Sequence, residues 1–235
     1  MLGNSFQTNY VLVEQRNAKF TLCRKKSEER AYYLGAIYGY HQGTKEGRLA
    51  GASRRGYLGV IKYLISRRRA NIHANNDCAL RWASKRSHPE VVKYLIGAGA
   101  DVHADNNYAL RSASEKGHVE VVKCLIEVGA DVHAEDDCSL RWASCGNHME
   151  VVKFLIEGGA DIHEWDDFAL RLASNNGHLE VVKYLIGEGA DVHARDDEAL
   201  RLASGGGHLE VVKFLISSGA DVHADDDGAL RLASK

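Results

Sequence analysis

The sequence predicts an all-α solenoid, a stack of helix pairs repeating every thirty residues. Three observations predict it. The stretch Gly177-His-Leu-Glu-Val-Val-Lys-Tyr-Leu-Ile186, followed by Gly189-Ala-Asp-Val-His193, returns with its first His at His118, His148 and His208, and at His88 between Ser87 and Pro89. A fixed period of this length marks a repeat array, and units this small bury a core only by stacking. Within each unit, apolar residues recur at helical spacing, and Asp, Asn and Gly fall where helices begin and end.

Residues 1–43 do not match the repeat. Tyr10-Val-Leu-Val13 and Lys19-Phe-Thr-Leu22 flank residues 14–18 and read as a small hairpin. Residues 28–42 read as weakly helical, a degenerate unit capping the first apolar face of the array. The array proper spans 44–235. Its first unit, 44–74, is divergent: Ser66-Arg-Arg-Arg-Ala70 is one residue longer than later loops and lacks their Gly. Regular units follow at 75–104, 105–134, 135–164, 165–194 and 195–224. A partial unit, 225–235, leaves the apolar face of 195–224 half covered.

Each regular unit has an internal logic. Its third position is Asp77, Asn107, Asp137, Asp167, Asp197 or Asp227, and is expected to N-cap a short helix containing Ala-Leu-Arg-x-Ala-Ser. The second helix is expected to start at the repeated His, where Pro89 occupies the first helical position without cost. Glu90, Glu120, Glu150, Glu180 and Glu210 suit the positive end of that helix dipole. Gly99, Gly129, Gly159, Gly189 and Gly219 are expected to end it.

This grammar resembles the ankyrin repeat. The motif Gly-His-x-Glu-Val-Val-Lys-x-Leu-Ile-x-x-Gly-Ala-Asp-Val-His is similar to the family's second helix and loop, over roughly 44–235. The wording Ala-Leu-Arg-x-Ala-Ser, with His closing the loop, resembles ankyrin proteins of giant DNA viruses of amoebae. Against the family's usual 33 residues, the three missing here fall in the hairpin (Ala104-Asp-Asn-Asn-Tyr108, for example), so the projecting finger is expected to shorten to a tight turn. The resemblance implies a non-catalytic scaffold that binds another protein.

Composition bounds the alternatives. The chain has 235 residues, 45% of them hydrophobic, and a single proline, Pro89, which argues against Pro-rich linkers. It shows no apolar run long enough to span a membrane, no secretory signal, and Gly3 is misplaced for myristoylation. The five cysteines read as reduced thiols, which places the protein in the intracellular, cytoplasmic compartment. Residues 1–74 carry 14 Lys+Arg and 4 Asp+Glu, whereas 75–235 carry 16 and 28. Such a split suggests an acidic partner, nucleic acid or an intramolecular fit.

No catalytic, cofactor or metal site is expected. There is no nucleophile motif, and Gly205-Gly-Gly207 is a helix–helix turn without the Lys-Ser/Thr of a phosphate loop. Eleven of the twelve histidines fall in two columns, but equivalent His on helices about 8–10 Å apart cannot share one ion, so loop hydrogen bonds are expected. Arg81, Arg111, Arg141, Arg171, Arg201 and Arg231 are expected to pair with Asp101, Asp131, Asp161, Asp191 and Asp221 in a ladder joining units.

Columns that vary between units are freer of the fold's demands. Trp165 is the outlier in a polar column that includes Arg195. Trp165 and Phe168, with Trp142 one unit back and Tyr108 beyond, form the candidate partner-binding patch, because aromatics are favoured anchors. The simpler alternative is that Phe168 and Trp142 are core. Arg54, Arg55, Lys85, Arg86 and Lys116 fall at the turns between helices and form a candidate basic edge, the basis of a second reading as a nucleic-acid-associated protein. A third reading, a ubiquitin-ligase substrate adaptor, is disfavoured because residues 1–43 show no F-box-like Leu-Pro start. The expected state is a monomer bound to an unidentified protein, with no membrane contact.

Overall fold

The structure, a computed structural model, describes residues 44–233, so the hairpin and helical cap expected within 1–43 lie outside the described residues. Thirteen helices follow among these residues, and no strand. They are α1 (Lys45–Arg54), α2 (Leu58–Ser66), α3 (Ala74–Lys85), α4 (Pro89–Gly97), α5 (Ala104–Glu115), α6 (Val119–Glu127), α7 (Ala134–Cys145), α8 (Met149–Glu157), α9 (Glu164–Asn175), α10 (Leu179–Gly187), α11 (Ala194–Gly205), α12 (Leu209–Ser217) and α13 (Ala224–Ala233). Odd-numbered helices stack on one another in one layer and even-numbered helices in a second. The odd layer packs more closely, which curves the stack with that layer on the inside.

The core runs unbroken between the layers. Leu80, Leu110, Leu140, Leu170 and Leu200 enter it from the odd helices, and Leu95, Leu125, Leu155 and Leu185 from the even ones, all fully buried. Val91-Val92 and its counterparts fill the space between them. Each even helix from α4 onward ends as the sequence predicts. Gly129, at φ +90°, donates its N–H to Ile126, and Ala130 donates to Leu125, which satisfies the last carbonyls. In the divergent first unit Arg69 takes the left-handed place, and Ala70 reaches back one residue further, to Leu64. On α12, Leu209 and Ile216 are exposed.

The hairpin shortens to a single left-handed turn. Asn75, Asn76 and Asp77 all have φ between 49° and 55°, and the turn recurs at 105–107, 135–137, 165–167 and 195–197. Left-handed backbone costs an L-residue about 1–2 kcal/mol, least for Asn and Asp, which explains why they crowd these positions. The Arg column caps the turn. Arg171 Nε and Nη2 donate to the carbonyls of Asp166 (3.1 Å) and Trp165 (2.7 Å), and Arg111 and Arg201 make the same fork.

The third-position residue is not the expected N-cap. No side-chain cap bond forms at the start of α3, α5, α7, α9 or α11. Asp137 is buried, and its Oδ1 accepts the N–H of Asp161 at 3.0 Å, in the loop that closes the same unit and leads into α9, while His133 Nδ1 lies 3.3 Å from Oδ2. The same bond, from the turn to the closing loop of its own unit, forms at Asp77, Asn107, Asp167 and Asp197. A turn this tight leaves no extended residue before the helix to act as a cap, so the carboxylate turns to that loop instead.

The expected Arg pairing is corrected as well. Asp101, Asp131, Asp161, Asp191 and Asp221 accept the N–H two residues on, which closes their own loops. The Arg side chains lean the other way, along the inner layer. Arg81 pairs with Asp105, Arg171 with Glu198, and Arg201 with Asp225 at 2.8 Å.

The second His column joins the units at their other edge. His88, His118, His148, His178 and His208 donate from Nε2 to the last carbonyls of the preceding odd helices, at 2.9–3.2 Å. Burial holds the His118 pKa below its ordinary 6.5, against the opposing bond to the Lys85 carbonyl.

Three outcomes follow for stability. Asp137→Ala strands a buried N–H and is expected to cost about 2–3 kcal/mol in chemical unfolding, whereas Asp137→Asn, the residue already at Asn107, costs much less. Ser139 is fully buried with an unpartnered hydroxyl where other units carry Ala, so Ser139→Ala is expected to raise stability by about 1 kcal/mol. His118 is neutral in both states above 6.5; as pH falls, the unfolded chain takes the proton first, so its contribution is lost between 6.5 and the lower folded value. The fall in Tm from about pH 7.5 to about pH 5 is therefore expected to be shallower in His118→Gln.

Candidate interaction surface

The face available to a partner is the inner layer, formed by the fourth, seventh, eighth and eleventh positions of each unit, although Ser112, Cys138 and Arg171 among them are buried. On α3 these are Cys78, Arg81, Trp82 and Lys85, all half-buried. The left-handed turns border this face and place their first residues beside the preceding unit's Arg.

The mid-array aromatics meet in part. Trp165, at φ 55°, is 51% exposed, and its ring lies 5.9 Å from that of Phe168, tilted by 48°. The Arg141 guanidinium lies 4.2 Å from the Trp165 centroid, and the Arg171 guanidinium 4.7 Å from that of Phe168. Trp142 is not core, being 48% exposed, but no ring contact joins it to Trp165 or Phe168. Phe168, by contrast, is half-buried with the guanidinium groups of Arg141 and Arg171 5.9 and 4.7 Å from its centroid.

Tyr108 belongs to a separate cluster. Arg81, Arg111 and Lys85 lie 5.3, 5.6 and 6.0 Å from its centroid, and Lys85 Nζ donates to its hydroxyl at 3.3 Å. Arg195 is exposed, with Nε 3.8 Å from Glu198. The patch is thus two cation–aromatic clusters on one face rather than one aromatic sheet.

The basic residues lie at successive turns, linked through the carbonyls that the His column binds. Arg54, Arg55, Arg86 and Lys116 are exposed, and Lys85 is half-buried. Several are engaged: Arg54 stacks 4.8 Å from the Trp82 centroid, Lys85 folds onto Tyr108, and Lys116 pairs with Glu115 at 2.7 Å. Cys78, Cys124, Cys138 and Cys145 are free thiols, and burial pushes that of Cys124 up. Among the described residues, no three His, Cys, Asp or Glu converge as a metal site, and no helix is long and apolar enough to cross a membrane.

Arg141 is the site residue that sequence reasoning passed over as a ladder member. The signal was present in the columns: the first and fourth positions of the following unit, Trp165 and Phe168, offer it no carboxylate.

The family description "Ankyrin repeats (3 copies)" matches residues 49–136 and again 140–226, together about three quarters of the chain. A comparison with curated proteins gave no significant match.

Arg171 tests how far the surface depends on its arginines. Its side chain is 4% exposed, pairs with Glu198 and binds two turn carbonyls. Arg171→Ala is expected to cost about 3 kcal/mol in chemical unfolding. Arg171→Lys is expected to recover less than half, because an ammonium lacks the planar fork.

Proposed function

Since the chain belongs to the ankyrin-repeat family, we propose that it is a non-catalytic scaffold whose inner face binds another protein. The observation that carries this is Trp165: a large apolar side chain, half exposed, on strained backbone in an otherwise polar column. Exposed aromatics on a rigid frame are the usual anchors of a protein interface. Trp165, Phe168 and Trp142 form the centre of the surface, with Tyr108 and Arg195 on its flanks. In this reading residues 44–235 are one array divided as the repeat divides, residues 1–43 are its cap, and the protein acts as an intracellular monomer. The Ala-Leu-Arg-x-Ala-Ser wording supports a viral source, with a host cytoplasmic protein as target.

The basic edge favours nucleic acid less. Arg54, Lys85 and Lys116 already have partners, and a cation held on a ring or a carboxylate is less available to a phosphate. A ubiquitin-ligase adaptor role has no supporting contact among the described residues.

Capture from a eukaryotic lysate with the intact chain, with and without nuclease, separates these readings. A protein recovered in the presence of nuclease, and lost with Trp165→Ala/Phe168→Ala, is the expected result. Recovery only without nuclease, and loss with Arg54→Ala/Arg55→Ala, would transfer the function to the basic edge.

A further inference from the structure

The Arg column is a series of rungs, and in three of them the next unit supplies a carboxylate. Asp105 meets Arg81, Glu198 meets Arg171, and Asp225 meets Arg201, from the first or fourth position of the following unit. At Arg111 the following unit does offer an acid, Glu135, which binds Asn106 at 2.6 Å instead. Arg141 differs from all of these. The two positions that face it are Trp165 and Phe168, so the chain brings no acid to it.

The polar contacts of Arg141 match that difference. Its one side-chain hydrogen bond is from Nη2 to the Glu135 carbonyl, at 2.7 Å. Its Nε is buried without a partner, as at Arg81, where Asp105 meets Nη1. The guanidinium lies over the Trp165 ring, 4.2 Å from its centroid, and among the described residues no carboxylate meets its remaining donors. A half-buried, oriented and underused guanidinium adds little to stability and is well placed for recognition.

We propose that Arg141, Trp165 and Phe168 form a notch for one carboxylate side chain of a partner protein, an Asp or Glu flanked by an apolar residue. The carboxylate meets Arg141 as Asp105 meets Arg81 and Asp225 meets Arg201, and the apolar neighbour lies on the open face of Trp165. The surroundings select a single negative charge. Glu135, Asp136 and Asp166 are exposed at the two bordering turns and repel a phosphate dianion or a nucleic-acid backbone. The notch deepens the protein-binding reading and rests on it.

The test uses the intact chain, panned against phage displaying random peptides. Retained peptides are sequenced, and their affinities are measured for the native chain, Arg141→Gln, Trp165→Asp and, as a control from another rung, Arg201→Gln. Trp165→Asp places an acid of the chain's own opposite Arg141. It is expected to raise Tm relative to Trp165→Asn, which keeps the variant folded and the test informative. The expected result is a shared Asp or Glu beside an apolar residue. Affinity is expected to fall at least about tenfold in both Arg141→Gln and Trp165→Asp, and to hold in Arg201→Gln. Retained peptides without an acidic side chain, or equal affinity for the native chain and Trp165→Asp, would overturn the notch while leaving the protein-binding scaffold in place. Retention of no peptide at all would overturn both.

Discussion

The stack depends on one bond repeated along its length: a buried third-position carboxylate or amide accepts a backbone N–H from the loop that closes its unit and leads into the next odd helix, as Asp137 does from Asp161. Apolar packing alone lets helices slide, because Leu against Leu has little preference for register. A buried N–H with one acceptor within reach does not slide, since leaving it unpaired costs more than the bond itself is worth. The His column repeats the device at the far end of each odd helix, where His148 donates to the Glu115 carbonyl. Each odd helix is thus held at both ends, at one to the loop that leads into the next odd helix and at the other to the His of the next unit, and the leucines between need only fill space.

The left-handed turn is what this arrangement costs. A thirty-residue unit has no chain to spare for an extended finger, so three residues reverse direction in unfavourable backbone. Their carbonyls point into the inner layer, where the Arg fork meets them. The same arginine therefore closes its own turn and reaches the following unit. Surface chemistry is coupled to this framework: the side chain that begins the turn lies against the preceding unit's guanidinium at Asp105, Trp165 and Asp225. In most units that side chain is polar; in one it is Trp165.

The architecture was open to sequence reasoning because periodicity and Gly placement report directly on helices and their ends. Leu-Ile before Gly-Ala-Asp could only be a helix closing on a left-handed residue. The role of Asp137 was not legible in the same way. Asp and Asn suit a helix N-cap and left-handed backbone equally well, and three successive left-handed residues leave no mark that tells the two apart. The Arg partners failed for a related reason. Two acidic columns flank each Arg, and column alignment carries no information on which way the side chain leans. Exposure of Trp142 was hidden too, because Ser112 and Leu172 share its column and give it no consistent polarity.

The Asp–amide and His–carbonyl bonds are made by residues that recur in register, and neither reaches beyond the adjoining unit. Recombination that removes or duplicates a thirty-residue block, starting at any point in the regular units, brings the same Asp opposite the same N–H and the same His opposite the same carbonyl. Array length is therefore a quantity that gene-level exchange can vary freely, whereas an insertion of any other length leaves a donor unmatched at its edge. What such shuffling does not conserve are the contacts made by the varying columns, such as Arg171 with Glu198 and Arg141 with Trp165, which exist only where those particular units meet.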